Sequence, residues 1–233
     1  MLASKRLYPL IACAGTAAAI VAAIAGQIDP DPQLDPLNLT ISEYAVLDRG
    51  GATEFAMACL GVASLALVAG LRAVRAPIGA AAERLMLAWS AALVVIAVVP
   101  TVAPGLAMDL GAQVHRYVSI AAFLALPAAG ALMAPGLGRD ERWRVVARPV
   151  EWLTLAGGFG LLALTYVALP GDRVLIGLAE RALLVTEVAL LGVLAVRLAW
   201  LAWAPAAART SRAGQALLGG LVPEHDYFLT GHK

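Results

Sequence analysis

Charged residues are scarce in this chain. Only 14% of its 233 residues are charged and the net charge is +1, whereas ordinary soluble domains carry about 25% charged residues. A nucleic-acid-binding surface needs a clustered basic face, so the sequence predicts no nucleic-acid partner. Because 61% of the residues are hydrophobic, the chain has more apolar surface than one soluble core can enclose. The composition therefore predicts a protein that is solvated by lipid.

Cysteine, histidine and familiar catalytic motifs are also scarce. Cys13 and Cys59 are the two cysteines, and both lie inside apolar runs without the spacing of metal ligands. The chain has no H-E-x-x-H, no G-x-S-x-G and no glycine-rich phosphate loop. Haem ligation by facing histidines is disfavoured because only His115 lies near an apolar run. We therefore expect no metal and no other cofactor.

What the chain has in abundance is long apolar runs. Each is close to the length of about 20 residues that crosses the hydrocarbon of a bilayer. The six runs are residues 7–26, 55–71, 85–106, 117–137, 150–169 and 182–203. They predict an all-α polytopic membrane bundle of six transmembrane helices in a domain spanning 1–203, followed by a cytoplasmic tail at 204–233.

The first run has features of a secretory signal peptide. Lys5 and Arg6 form a basic start, and Ala23-Ile24-Ala25 is similar to a cleavage site. The apolar core of a signal peptide is usually about 7–15 residues long. Because this run is longer, we expect it to remain as a membrane helix.

Basic residues predict the orientation of the bundle. With the N-terminus in the cytoplasm, thirteen of the seventeen lysines and arginines fall in inner segments. The four that fall in outer segments are Arg49, Arg116, Arg173 and Arg181. Cytoplasmic loops carry the excess of basic residues in membrane proteins. The sequence thus predicts both termini on the cytoplasmic side of the inner (plasma) membrane.

The longest outer segment, residues 27–51, begins with a Pro- and Asp-rich stretch that cannot start a regular helix. In the following stretch, Leu39, Ile41, Tyr44 and Leu47 interleave with polar residues. This pattern favours a short helix at the membrane interface. We expect the segment to be ordered against the bundle, because its apolar side chains would otherwise face water.

Three short motifs follow one another along the chain. They are Ser42-Glu43-Tyr44-Ala45, His115 followed by Ser119, and Gly177-Leu178-Ala179-Glu180-Arg181. Their order and positions resemble an actinobacterial multi-pass membrane family, domain of unknown function 998. Members of that family also carry a Pro-Thr-Asp-like element at the end of the third helix. Here Pro100-Thr101 is followed by Val102, and Asp109 is the nearest carboxylate. The resemblance implies a six-helix bundle and no established activity.

In the predicted topology, ionisable groups gather towards the outer face. Such groups are costly at membrane depth, so they are candidates for function. Charges at helix ends are also ordinary, and acidic residues near helix N-termini suit the helix dipole. An alternative is therefore a set of ion pairs that only holds the bundle together. The candidate polar cluster comprises Ser42, Glu43, Glu54, Asp109, His115, Arg116, Glu180, Arg181 and Glu187.

Glu187 is the deepest of these residues. It lies inside the sixth apolar run, seven residues after Glu180 and so on nearly the same helix face. An isolated carboxylate at such depth costs about 2.5–3.5 kcal/mol on insertion scales. We therefore expect Glu187 to face the bundle interior and to contact His115, Arg116 or an enclosed water.

Two classes of function remain open. The first is a non-catalytic accessory or structural subunit, linked to lipid or cell-envelope handling, whose partners are membrane lipids and other membrane-protein subunits. The alternative is a membrane-embedded enzyme or lipid-handling transporter with a polar site at the outer leaflet. In the enzyme, Ser42 or a metal-bound water would be the nucleophile, His115 the base, and Glu43 or Asp109 the orienting acid. An open cavity beside His115 would favour the alternative.

Overall fold

The computed structural model of the protein describes residues 2–26, 34–48, 51–99 and 101–219, with side chains within 6–26, 34–47, 51–99 and 101–203. Residues 27–33, 49–50 and 220–233 of the predicted outer segment and tail lie outside the described residues. Within the described ranges there are seven helices and no strand. The helices are α1 (Leu2–Ala25), α2 (Ile41–Asp48), α3 (Ala52–Ala73), α4 (Ala80–Val98), α5 (Leu110–Arg139), α6 (Arg144–Ala168) and α7 (Ile176–Gly219).

Six of these helices, all except α2, are long and apolar enough to cross a membrane. The prediction of an all-α polytopic bundle of six transmembrane helices is therefore confirmed. The long helices form a closed ring in the order α1, α3, α4, α5, α6 and α7, and α7 also contacts α3 and α5. Large apolar side chains on the outside of the ring, such as Trp152, Phe159 and Tyr166 of α6, are exposed, as expected of a surface that faces lipid.

Small residues let the long helices approach one another closely, as they do in membrane bundles, where lipid provides no hydrophobic drive between helices. Between α1 and α3, a methyl group at Gly15 would lie 2.9 Å from Cβ of Ala63. Between α3 and α4, a methyl group at Gly61 would lie 3.2 Å from the carbonyl oxygen of Ser90. Side chains at these glycines would push the helices apart.

The third transmembrane helix ends earlier than its apolar run predicts. The run extends to about residue 106, but α4 ends at Val98. Val99 has extended dihedrals, because the residue before a proline disfavours the helical conformation. Residues 101–109 then form a non-helical connection that ends at Asp109, whose side chain accepts a hydrogen bond from the Ala112 N–H at 2.7 Å. This N-cap starts α5 at Leu110, seven residues before the predicted run.

Segment 34–48, which contains α2, lies across one end of the bundle. The Leu178 N–H donates to the Leu37 carbonyl at 3.1 Å, and the Leu175 N–H donates to the Asn38 side chain at 2.7 Å. The Asn38 amide and the Leu37 N–H both donate to Asp35, and these bonds lower the pKa of the Asp35 carboxyl group. Tyr44 is buried at only 2% exposure, which fixes one face of α2 against the bundle.

The α3–α4 and α5–α6 turns meet at the opposite end. Arg142 donates to the Val74 carbonyl at 3.3 Å and pairs with Asp140 at 2.9 Å. Arg197 of α7 donates in turn to the carbonyl of Arg142. The hydrogen bond from Arg142 lowers the pKa of Asp140 and raises that of Arg142. These contacts connect the end of α3, the α5–α6 turn and α7 at this end of the bundle.

Candidate functional site

A cavity of roughly 610 Å³ lies at the α2 end of the bundle. Its volume is within the range of about 300–1,000 Å³ that is usual for small-molecule sites. We name it the Ser42 cavity. Its polar lining comes from α2, the start of α5, the turn before α7 and the start of α7. Its apolar lining comes from the 101–108 connection and from the deeper parts of α5 and α6. Five of the nine predicted site residues line it, namely Ser42, Glu43, His115, Arg116 and Glu180.

Ser42 and His115 are hydrogen bonded on the wall of this cavity. Ser42 Oγ lies 2.8 Å from His115 Nε2, and His115 Nδ1 lies 2.6 Å from the Val99 carbonyl oxygen. A carbonyl oxygen can only accept, so Nδ1 carries the ring proton and donates it to Val99. In this tautomer the lone pair of Nε2 accepts the Ser42 hydroxyl proton. The arrangement is that of a nucleophile, a base and a group that orients the base.

The local sequence explains how Ser42 is positioned. The Thr40 N–H donates to Glu43 Oε2 at 3.0 Å, and the Glu43 N–H donates to Thr40 Oγ1 at 3.2 Å. This reciprocal pair is a capping box, which satisfies two N–H groups at the start of a helix. It begins α2 immediately before Ser42 and places the hydroxyl in the first turn, facing α5.

The residues predicted to orient His115 have other partners. Glu43 accepts hydrogen bonds from Arg173 Nη2 at 2.7 Å on both carboxylate oxygens. Asp109 caps the N-terminus of α5. The backbone carbonyl of Val99 takes the orienting position instead. The prediction that Glu43 or Asp109 orients the imidazole is therefore wrong, because Glu43 is held by a cation and Asp109 by a helix end.

Glu180 and Arg181 hold segment 34–48 onto α7. Glu180 accepts a hydrogen bond of 2.5 Å from the Ile41 N–H, the first amide of α2. The Arg181 guanidinium donates to the carbonyls of Pro36, Leu39 and Gly177 at 2.6, 3.0 and 3.1 Å. It also lies 5.6 Å from the ring centroid of Tyr44, within cation–π distance. The contacts of Arg181 thus hold segment 34–48 against α7.

Gly177 is required by the same contact. A methyl group at position 177 would collide with the carbonyl oxygens of Pro36 and Leu39. The backbone of the outer segment therefore lies directly on the first turn of α7. This close approach brings the α2 motif and the α7 motif together.

Arg116 and Glu54 make few contacts within the described residues. Arg116 lines the cavity, and its guanidinium reaches Met108 Sδ at 3.8 Å. None of the ion pairs found among the described side chains involves Arg116. Glu54 lies in the first turn of α3, and one of its carboxylate oxygens is buried without a hydrogen bond from the described part of the chain.

Glu187 faces the interior, as predicted, at 2% exposure. Of the three predicted partners, His115 and Arg116 are wrong, because those side chains bond to Ser42, Val99 and Met108. The contact with an enclosed water stays a prediction. Seven residues along α7 place Glu187 about 10 Å deeper than Glu180, and Glu187 does not line the cavity. The Trp89 indole faces its carboxyl group, but neither oxygen forms a hydrogen bond of ordinary geometry with a described residue.

The described side chains contain no group of three or more His, Cys, Asp or Glu residues placed to hold a metal ion.

Three contributors to the site were missed at the sequence level. Thr40 could have been found from its T-x-x-E spacing to Glu43, which is the signature of a capping box. Arg173 was placed only among the outer basic residues, and the Val99 carbonyl has no side-chain signal. Thr101 and Val102, from the element that departs from the Pro-Thr-Asp pattern, also line the cavity.

The three motifs that resemble a known family thus converge on one site. Ser42 bonds to His115, and Glu180 bonds to the amide just before Ser42. The family described as "Protein of unknown function (DUF998)" matches residues 13–197, a range that contains all three motifs. No curated protein and no solved structure matches the chain. Because the match covers most of its length, the chain belongs to the DUF998 family of proteins of unknown function.

Proposed function

We propose that the protein is a membrane-embedded acyl-transfer enzyme, which cleaves the ester of a lipid-like amphiphile in the Ser42 cavity. One observation carries the proposal. Ser42 Oγ is 2.8 Å from His115 Nε2, while His115 Nδ1 is held 2.6 Å from the Val99 carbonyl. The pair lies on the wall of a cavity whose other wall is apolar.

The reaction uses the pair as nucleophile and base. Ser42 Oγ forms a bond to the acyl carbon as its proton passes to His115 Nε2. The bond between that carbon and the leaving alkoxide oxygen then breaks, and His115 gives the proton to the leaving alcohol. Water attacks the acyl-serine through the same base, and a carboxylic acid leaves while Ser42 regains its proton.

The shape of the cavity supports an amphiphilic substrate. Ser42, Glu43, Arg116 and Arg173 supply its polar part, whereas Phe123 and Leu161 belong to its apolar part. An ester carbonyl placed at Ser42 would have its polar portion among the charged side chains and its hydrocarbon between α5 and α6. With the termini inside, this end of the bundle faces the outer leaflet of the plasma membrane, where such esters are part of lipid and envelope handling.

A non-catalytic accessory or structural subunit is the competing function. In that role the Ser42–His115 bond would only fasten α2 to α5. Polar groups that are fully paired and closed over would favour it. The cavity beside the pair is open, and none of the ion pairs among the described residues involves Arg116. Both observations favour the enzyme.

Serine labelling tests the proposal. The full chain, purified in mild detergent, is treated with an alkyl fluorophosphonate, and the modified residue is located by mass spectrometry. We expect labelling at Ser42 that is lost in Ser42→Ala. His115→Asn keeps an amide donor for Val99 but lacks the base, and we expect it to slow labelling by at least about 100-fold.

Ser64→Ala is the matched control. Ser64 is buried in α3, and its hydroxyl donates to the Leu60 carbonyl at 2.7 Å, away from the cavity. We expect Ser42 in the Ser64→Ala variant to be labelled as fast as in the wild type. Unchanged labelling in Ser42→Ala, or equal rates in wild type and His115→Asn at equal thermal stability, would reject the enzyme and favour the structural role.

A further inference from the structure

The apolar wall of the Ser42 cavity is a seam that runs along α5 and α6. Because Pro127 of α5 packs against Gly157 of α6, the two antiparallel helices pair their residues in opposite order. Ile120 and Leu164 then lie at one level, and Leu124 and Leu161 lie deeper. Arg116 and Ala168 stand at the polar end of the same seam. The lining thus changes from charged to wholly apolar with depth.

Pro127 and Gly157 close the seam at its deep end. A methyl group at Gly157 would lie only 3.1 Å from Cγ of Pro127, and Pro127 is buried. One turn further, a methyl group at Gly130 would collide with the Thr154 hydroxyl. No space for a chain remains between the helices beyond this floor.

The distance from His115 to Leu124, the last residue of α5 that lines the cavity above the floor, fixes the length of the seam. Nine residues separate His115 from Leu124, which corresponds to a rise of about 13 Å along the helix. An extended chain gains about 3.6 Å for every three bonds, or about 1.2 Å per bond. The seam therefore accommodates an extended hydrocarbon of about ten to twelve carbons.

One side of the seam is open towards the bilayer. Ile120 and Leu124, which line the seam, are 47% and 52% exposed, so lipid would contact this side of the seam. An acyl chain can enter sideways from the membrane without crossing water.

We infer, on the basis of the proposed function, that the α5–α6 seam is an acyl-chain subsite that selects esters of medium-length chains, of about ten to twelve carbons. The chain lies between α5 and α6 with its carbonyl carbon at Ser42 Oγ and its methyl end at the level of Leu124 and Leu161, about one turn above the Pro127–Gly157 contact. Shorter chains leave part of the seam unfilled, and longer chains meet the floor.

Chain-length dependence tests this subsite. The full chain in detergent is treated with a series of fluorophosphonates whose alkyl group runs from butyl to hexadecyl, and the rate of Ser42 labelling is measured for each. We expect the decyl and dodecyl probes to react at least about tenfold faster than the butyl and hexadecyl probes. Hydrolysis of the matching p-nitrophenyl esters should show the same maximum.

Two variants and one control locate the selection. Leu161→Trp fills the deep end and should move the maximum to octyl or shorter chains, whereas Phe123→Ala enlarges it and should move the maximum to longer chains. Leu162→Trp adds the same bulk one residue away, at a side chain that is 66% exposed to the outside, and should leave the wild-type profile unchanged.

The outcomes separate this inference from the proposed function. Labelling of Ser42 at a rate independent of chain length, or a maximum that neither Leu161→Trp nor Phe123→Ala moves, overturns the subsite and leaves the enzyme standing. Failure of every probe and every ester to react at Ser42 overturns both.

Discussion

At the residue scale, the environment of His115 is set by a single backbone atom. A histidine side chain alone offers two tautomers, and the Val99 carbonyl selects the one that can accept a proton from Ser42. Val99 is extended because Pro100 follows it, which turns its carbonyl away from the α4 hydrogen-bond ladder. A proline that ends one helix therefore determines the chemistry of a side chain on the next.

Glu187 is a second residue whose role depends on what surrounds it. With the His115 and Arg116 contacts absent, its carboxyl group faces the Trp89 indole and belongs to none of the ion pairs among described residues. We expect Glu187→Gln to change the free energy of unfolding by less than about 1 kcal/mol, because the amide keeps the shape and an acceptor. Thermal unfolding of the variant and the wild type in detergent measures this change in the free energy of unfolding.

Glu151→Gln, at an exposed ion pair with Arg148, is the control for that measurement. A loss of about 3–5 kcal/mol in Glu187→Gln is the value expected when a buried ion pair loses one partner. Such a loss would show that a cation does reach Glu187.

At the element scale, α2 is a helix that its neighbours stabilise. Isolated helices shorter than about 12–15 residues are marginal in water, and α2 has eight residues. The capping box, the bond from Ile41 to Glu180, and Arg181 hold it in place. The position of Ser42 therefore depends on residues that lie far from it in sequence.

Arg181→Lys tests how α2 is held. One ammonium group cannot reproduce the contacts of the planar guanidinium with the Pro36 and Leu39 carbonyls and the Tyr44 ring. Hydrogen bonds to charged groups are worth about 1.5–3 kcal/mol, so we expect faster amide hydrogen exchange across residues 39–47 and slower labelling of Ser42. Hydrogen exchange with mass spectrometry measures the first effect directly.

The control for this variant is Arg148→Lys, which affects an exposed pair at the other end of the bundle. It should leave exchange in residues 39–47 unchanged. Equal exchange rates in Arg181→Lys and the wild type would mean that Arg181 does not fasten the segment.

At the scale of the whole molecule, the bundle has two distinct ends. Segment 34–48, the 101–109 connection and the turn before α7 meet at one end, and the α3–α4 and α5–α6 turns meet at the other. Basic residues gather at the second end, where Arg72, Arg142 and Arg197 make their contacts. We propose that this end is cytoplasmic, because inner loops carry the excess of basic residues.

Cysteine labelling tests this orientation. In a background with Cys13→Ala and Cys59→Ala, single cysteines are placed by Asp172→Cys in the α6–α7 turn and Glu141→Cys in the α5–α6 turn, both exposed. A membrane-impermeant maleimide added to intact cells should modify position 172 and should modify 141 only after lysis. Modification at 141 from outside, with 172 protected, would reverse the topology.

The sequence by itself determined the class of fold and the six membrane helices. Apolar length and the dispersion of charge act locally along the chain, and the bilayer imposes the same span on every helix. The motifs also identified Ser42, His115 and Glu180 as members of one polar site. Helix ends were less predictable, since the Asp109 cap begins α5 within a stretch that hydrophobicity alone assigns to a loop.

Only the tertiary structure decided which side chains interact. Ser42 meets His115 across 73 positions of sequence, and Ile41 meets Glu180 across 139, so both pairings depend on how helices pack rather than on local pattern. Glu187 shares a face with Glu180 but lies about two turns deeper, which removes it from the site. The Val99 carbonyl could not be identified in advance, because a backbone acceptor carries no side-chain signal and becomes a partner only when a neighbouring helix brings an imidazole to it.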